Sequence, residues 1–372
     1  MAKKNIEILD QIRDNASAEY QARVPEALGT GGNVSKIFNQ YPTMKNEFIQ
    51  TLTNRVIKSY FYSKVFNNPL KMLHRGELEY GYSLEQLFTE MAESKGFFEH
   101  FDGGDEVKDL VGVKKPSIKT LYIERNFAYK YKTSISDRQL KTAFMSQNGL
   151  SELVSQITNS MISGAYFDEF KDMKRVLTAH ANGKFLAYDD ATGKAIETNL
   201  TDAILKDGQL PHLITIPQGA NAEETAKNLS EKVRETTGYL GFPSTTYNSA
   251  KVNQWSHKQD LIFITTPTQL AKLDVQVLAD AFNVSKADLN VRTIEVDELP
   301  TKFATGTLAS ATRDVSKTCY GILMDKDFLQ CYDTLLETRS FENGDKLTTN
   351  MFLHKQGIMS TCYFGNIVYF VG

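Results

Sequence analysis

The sequence predicts a mixed helix-and-strand protein of the α+β class, and three observations carry that expectation. One stretch, 137–178, repeats its apolar residues at helical spacing over many turns. A later block, 213–324, alternates short strand and helix patterns and reads as α/β or α+β. The closing fifty or so residues read almost wholly as strands.

Residues 1–66 open with a short amphipathic segment, Ile6, Ile8, Leu9 and Ile12, and then turn Gly-rich at Gly29, Gly31 and Gly32. A second helical pattern places Phe48, Leu52, Val56 and Tyr60 four apart. These are too few apolar residues for a core, so the segment is expected to be an arm that docks elsewhere.

Residues 67–135 follow the punctuation Asn67-Asn68-Pro69 and suggest a long hairpin. Its β-type runs are 78–84 and 118–134, with a charged tip at Asp102-Gly103-Gly104-Asp105. Charge is segregated along it. Ten acids lie between Glu77 and Asp109 against Lys95 and Lys108 alone. Six bases, Lys114, Lys115, Lys119, Arg125, Lys130 and Lys132, then stand against Glu124. A two-stranded hairpin with so little apolar alternation is marginal in water, so it needs a surface to lie on; a solvated loop is the other reading.

In the long helix, Leu150, Val154, Ile157 and Met161 form one stripe, and Phe167, Phe170, Met173 and Leu177 continue it with a shift. Such a stripe is a core face. Asp168, Glu169 and Asp172 are then expected on the solvated side. A hairpin follows, 184–188 and 194–198, around Asp189-Asp190-Ala191-Thr192-Gly193. Next come a strand at 213–216 and a helix at 222–238 with Ala226, Leu229 and Val233 on one face. A strand at 261–265 ends at Pro267, and a helix at 275–282 precedes Ser285, a plausible N-cap. The strand 291–296 and four late strands, 320–323, 351–354, 359–364 and 367–371, complete the chain.

The 372 residues allow two or three domains. With 42 basic and 45 acidic side chains the net charge is −3, which argues against wholesale nucleic-acid binding. A hydrophobic content of 41% excludes general disorder. Cys319, Cys331 and Cys362 are odd in number and unpaired in spacing, as in a reducing compartment. The charged opening, Met1 to Asp14, is not a signal peptide, and 357–372 is too short and polar to span a bilayer.

Catalytic motifs are missing. The six histidines are scattered and never at metal-ligand spacing, and CxxC, GxSxG, Walker-type and GxGxxG patterns are absent. Gly29-Thr30-Gly31-Gly32-Asn33 lacks the preceding strand that a phosphate cradle needs. No enzyme activity, cofactor or metal is expected. Tyr122, Arg125, Phe127, Tyr129, Lys130 and Tyr131 interleave aromatic and basic residues, which suits either nucleic acid or a β arm that pairs with another subunit. The arm is favoured, because the adjacent acidic stretch would repel a phosphate backbone.

Several segments together resemble the major capsid proteins of small short-tailed bacteriophages with double-stranded DNA, the Picovirinae group. They are Asn67-Asn68-Pro69-Leu70-Lys71, Lys119-Thr120-Leu121-Tyr122-Ile123-Glu124-Arg125-Asn126 and Leu140-Lys141-Thr142-Ala143-Phe144. Leu273-Asp274-Val275 with 277–283, and Met324-Asp325-Lys326-Asp327-Phe328, complete the set. Their order matches over roughly 40–372. The resemblance implies the tailed-phage capsid (Johnson) fold: an N-terminal arm at 1–66, an extended loop at 67–135, a peripheral domain from 136–212 with 325–372, and an axial domain at 213–324. Some relatives carry an additional Ig-like module at the C-terminus; as this sequence closes at Phe370-Val371-Gly372, no decorating or host-surface-binding role of that module is expected from the resemblance.

The resemblance further implies a structural shell protein. It would form pentamers and hexamers of itself, with a scaffolding protein and a portal as partners. The shell would enclose double-stranded DNA without reading its sequence, and no membrane would be involved. Assembly would occur in the bacterial host cytoplasm and the product would be the virion. Lys71, Arg75, Glu77, Glu79, Lys114, Lys115, Lys119, Glu124 and Arg125 are the expected inter-subunit contacts. The competing readings are an encapsulin-like compartment and an α/β nucleotide-binding enzyme.

Overall fold

The computed structural model describes residues 5–24, 66–78, 83–92, 116–136, 149–192, 194–272 and 291–372. The Gly-rich run, the helical pattern at 48–60, the hairpin tip, the segment 140–144, the helix at 275–282 and Ser285 lie outside them. So do Glu79, Lys114 and Lys115.

The chain begins with α1 (Asn5–Asp14) and α2 (Ala18–Arg23). Ser17 caps α2 by accepting the Tyr20 N–H at 3.2 Å, and Ile12 and Tyr20 are buried. After Asn68, whose Oδ1 accepts the Leu70 N–H at 2.9 Å, comes β1 (His74–Glu77). The hairpin strands are β2 (Ser83–Thr89) and β3 (Ile118–Glu124), and β4 (Phe127–Ser136) follows. The run 118–134 is thus two strands. They part at Asn126, whose side chain turns inward, accepts the Met359 N–H at 2.9 Å and donates to the carbonyls of Leu186 and Met359. A buried amide that meets three backbone groups holds the chain at this point.

Next are α3 (Gly149–Ala181) and the hairpin β5 (Lys184–Asp189) and β6 (Lys194–Asn199). In the intervening turn the Asp189 carboxylate accepts from the Ala191 N–H and the Thr192 hydroxyl. Then come β7 (His212–Thr215), α4 (Ala222–Tyr239), β8 (Leu261–Thr265), β9 (Arg292–Glu295), β10 (Lys302–Thr305) and β11 (Thr312–Ser316). The chain closes with β12 (Cys319–Asp325), β13 (Leu329–Asn343), β14 (Thr348–Thr361) and β15 (Ile367–Val371).

These elements divide into two compact units. The first comprises Met1–Lys71, Phe127–Lys171 and Asp333–Gly357; the second comprises Met72–Asn126, Asp172–Tyr332 and Ile358–Gly372. In the first, β14 pairs antiparallel with β4 from Thr348↔Ser136 to Gly357↔Phe127, and β13 flanks β14 on its other side. One face of this sheet meets α3. The Tyr131 hydroxyl reaches Asp168 Oδ2 at 3.1 Å, and Gly164 leaves just enough room for the Tyr131 ring. Met351, Leu353 and Lys355 are buried at alternate positions, while Lys130 and Lys132 of β4 are exposed.

Three expectations are corrected here. Glu169 and Asp172 are buried rather than solvated, and Phe167 is exposed, edge-on to Phe66 at 5.7 Å. Two late strands are one, because Lys355, which reads as a polar break, is buried with its charge paired. Its ammonium contacts Glu169 Oε2 and lies 3.5 Å from Asp333 Oδ1. Asn68 Nδ2 donates to the other Glu169 oxygen at 3.3 Å.

The stripe on α3 is otherwise a core face, with Ile157, Met161, Phe170, Met173 and Leu177 buried. The side chains of Leu150 and Val154 lie outside the described ones. Ile157→Ala or Phe170→Ala is expected to cost about 2–5 kcal/mol, the range for truncating a large buried side chain. Chemical denaturation of each variant measures it; unchanged midpoints would show that the stripe is not core.

In the second unit a five-stranded mixed sheet runs in the order β7-β15-β12-β8-β9. β7 is parallel to β15 and β8 to β9, whereas β12 is antiparallel to both β15 and β8. Every residue of β8 and β15 is buried, as befits central strands covered on both faces. α4 covers one face, packing Ala226, Leu229 and Val233 against Phe263, Leu323, Val368 and Phe370. Gly321 is needed in β12, since a Cβ there would lie 2.4 Å from the Phe263 ring.

Candidate intersubunit surface

The hairpin is the part of the sequence with least core of its own, and the structure shows where its base lies. β2 and β3 pair in register from Ser83↔Glu124 to Thr89↔Ile118. Strand alternation sends Leu84, Gln86 and Phe88, with Lys119, Leu121 and Ile123, to one face. That face lies on the second unit. Phe88 stacks on Phe364 at 5.6 Å, Phe88 and Leu121 pack against a cluster that includes Leu200, Val252 and Tyr363, and Gln86 donates to the Thr361 carbonyl.

The opposite face points to solvent and carries Glu85 and Leu87 from β2 with Ile118, Tyr122 and Glu124 from β3. Leu87 is 59% exposed and Tyr122 65%. Ile118 and the nearby Met91 are also exposed. The Tyr122 hydroxyl donates to Glu85 Oε1 at 2.9 Å, and that carboxylate holds the phenol pKa above its ordinary value. These side chains form an apolar stripe on the outer face of the ribbon, a candidate contact surface.

The expected contact residues fall into two groups. Arg75 is paired with Asp327 and also reaches the Lys326 carbonyl. Lys119 donates to the Ala250 carbonyl at 3.0 Å and lies 3.9 Å from Glu90. Arg125 sits 5.0 Å from the Tyr188 ring centroid, on the wall of an open cleft of about 720 Å³, and Lys71 sits 4.9 Å from that of Tyr166. These four therefore have partners within their own chain. Glu77 and Glu124 are exposed. Counting charges missed the apolar stripe. The signal was there in the parity of Leu87, Ile118 and Tyr122 within two paired runs.

A second arrangement has the residue types of a nucleophile and its base. His180 Nε2 lies 3.0 Å from Ser249 Oγ, and Nδ1 lies 3.0 Å from the Tyr369 oxygen. The Tyr369 hydroxyl donates its one proton to the Leu177 carbonyl, so the imidazole carries its proton on Nδ1 and accepts from Ser249 at Nε2. All three side chains are buried, and burial pushes the His180 pKa down to about 3. The trio is an internal hydrogen-bond network of the second unit.

The architecture, a spine-like helix on a long-stranded sheet with a separate mixed α/β block, defines the class. It is the tailed-phage capsid fold: over 83% of this chain and 85% of the other, the structure superposes on a chain of the Staphylococcus phage Andhra capsid with a TM-score of 0.58 at 13% identity. Residues 9–371 match the Phi29-like phage major capsid protein family, and the chain belongs to that family. Two relatives are the major capsid proteins of Bacillus phage GA-1, 30% identical over 88% of this chain, and of Bacillus phage PZA, 27% identical over 99% of it. The chain spans 61% of the length of the first and 73% of the second. The family is one of structural shell proteins, not enzymes, and the compartment and nucleotide-enzyme readings are not favoured.

Proposed function

We propose that this chain assembles with copies of itself, as pentamers and hexamers, into a phage head that encloses double-stranded DNA. A scaffolding protein and a portal are its partners, assembly occurs in the bacterial host cytoplasm, and the product is the virion. In this reading 1–66 is the arm, 67–135 the extended loop, 136–212 with 325–372 the peripheral domain and 213–324 the axial domain. The observation that carries it is the outward face of β2–β3. Among the described residues this ribbon pairs with no further strand, and Leu87, Ile118 and Tyr122 are in water, an exposed face of the kind that a neighbouring copy covers. Repeated around a ring, the same modest contact closes a shell.

The test is sedimentation of the purified chain, alone and with its scaffolding protein, well above micromolar concentration. Particles far larger than a ring of six are expected. A single monomer boundary under both conditions would refute the reading. Assembly is also expected to weaken as salt rises, because charges exposed at the contact are screened beyond about 8–10 Å near physiological ionic strength.

A further inference from the structure

We propose that the cation-rich cluster where the end of α3 meets the β5–β6 and β10–β11 hairpins is the surface that touches the phosphate backbone of double-stranded DNA. The inference rests on the shell reading and names the place on the wall that the enclosed nucleic acid meets. Every group in the cluster belongs to the second unit. Arg175 Nε lies 3.6 Å from Glu197 Oε1, and Lys184 lies 3.5 Å from the other oxygen of that carboxylate. Lys184 also lies 3.9 Å from Asp314 Oδ1, and Lys302 lies 3.6 Å from the same atom. Arg313 is held beside them by a backbone carbonyl, its Nη2 donating to Leu200 at 2.9 Å. Four cations therefore stand around two carboxylates, a local positive surplus on a chain whose net charge is −3.

The cluster is held in place by more than its charges. Asp314 adopts a left-handed backbone with φ of 61°, which a residue other than glycine keeps only under constraint. The constraint is the buried Asn182 amide, which accepts the Asp314 N–H at 2.7 Å and donates to Asp314 Oδ1 at 2.9 Å. That oxygen is bound more closely by the amide than by either lysine. The ion pairs, at 3.5–3.9 Å, are looser than a charge-assisted hydrogen bond of about 2.7–2.9 Å, so the cations keep donors for phosphate oxygens. Lys302 is exposed, and Arg175 and Lys184 are partly so. The core of a protein–protein contact is depleted in charge and enriched in aromatic residues, whereas phosphate contacts are made by Lys and Arg and read no sequence. A surplus this small gives contact without tight retention, as a wall needs when DNA must enter and leave.

The other candidate occupant is an acidic surface of a neighbouring copy, and the test separates the two. Binding of a labelled DNA duplex of about 30 base pairs to the full chain is followed by fluorescence anisotropy as salt rises, since salt dependence counts phosphate contacts. Circular dichroism checks that each variant is folded. Arg175→Gln, Lys184→Gln and Lys302→Gln together are expected to weaken binding at least about tenfold at low salt. The same variant is expected to reduce the slope of log affinity against log salt by about 2–3. Glu197→Gln with Asp314→Asn, which removes the two acids, is expected to tighten binding by about threefold or more. Lys227→Gln, Lys258→Gln and Lys346→Gln together, an equal loss of charge at exposed positions outside the cluster, are expected to change it by less than about twofold. Equal losses in the two triple variants, or a wild type that binds no duplex at low salt, would overturn the assignment. A cluster variant that keeps wild-type DNA affinity but fails to assemble would assign the surface to an acidic face of another copy instead. A wild type that binds duplex through the cluster yet never forms particles would overturn the shell reading and leave this site standing.

Discussion

Lys355→Met should lower the stability of the chain by about 3–5 kcal/mol, the cost of breaking a buried ion cluster by removing one partner. Lys355, Glu169 and Asp333 are each almost inaccessible, and the one ammonium lies against both carboxylates. Methionine has similar volume, so the loss reflects stranded charge and not a cavity. One check distinguishes this from a generic core defect. A triple variant, Glu169→Gln, Asp333→Asn and Lys355→Met, should recover most of the stability, since buried ion clusters replaced as a whole are often neutral. Denaturant unfolding of both variants at pH 7 measures this; a Lys355→Met loss below about 1 kcal/mol would mean the cluster is not holding its charge in isolation.

Acid should destabilise the chain through His180. In the folded protein this imidazole is neutral with a pKa of about 3, whereas in the unfolded chain it titrates at its ordinary value near 6.5. Between these values the unfolded state binds the extra proton, so stability rises with pH across the window. The contribution is fully present above about pH 6.5 and is lost progressively as pH falls toward 3. Roughly 3–5 kcal/mol is at stake over the whole range. The facing groups are the Ser249 and Tyr369 hydroxyls and the rings of Phe328 and Tyr363, and none of them supplies a counter-charge. His180→Gln keeps a polar group at the site but cannot titrate. Its unfolding free energy should vary less between pH 6 and pH 4, by about 1 kcal/mol per pH unit, than that of wild type. Identical slopes would rule out His180 as the titrating group.

Elements whose signal is local were legible in the sequence. The β5–β6 hairpin follows from its turn residues, β8 and β15 from short apolar runs, and α4 from its Ala226, Leu229, Val233 stripe. The extents of β13 and β14 were not, because their pattern depends on tertiary pairing. Lys355 looks like a break in a strand until Glu169 and Asp333 neutralise it, and β13 carries Asp333 at a buried position. Glu169 could not be placed from α3 alone, since a helix shows its own periodicity but not the charge that will meet it. Asn126 ends β3 by side-chain bonds to Leu186 and Met359, the latter 233 positions away. Similarly, the segregated charge of the hairpin was plain in the sequence, whereas Lys119 and Arg125 turn toward their own chain and the outward face is apolar with an acidic edge. Which side of a strand faces out depends on what lies beneath it, here Phe364 and Tyr363 from the far end of the chain.

Electron cryomicroscopy of whatever particles the purified chain forms, alone and with the proposed scaffolding protein, tests the central claim most directly. The account predicts closed shells with five-fold and six-fold clusters, in which Leu87 and Tyr122 of each copy are buried against a neighbour. Particles that are open aggregates, or closed shells in which the outer face of β2–β3 remains in solvent, would contradict it.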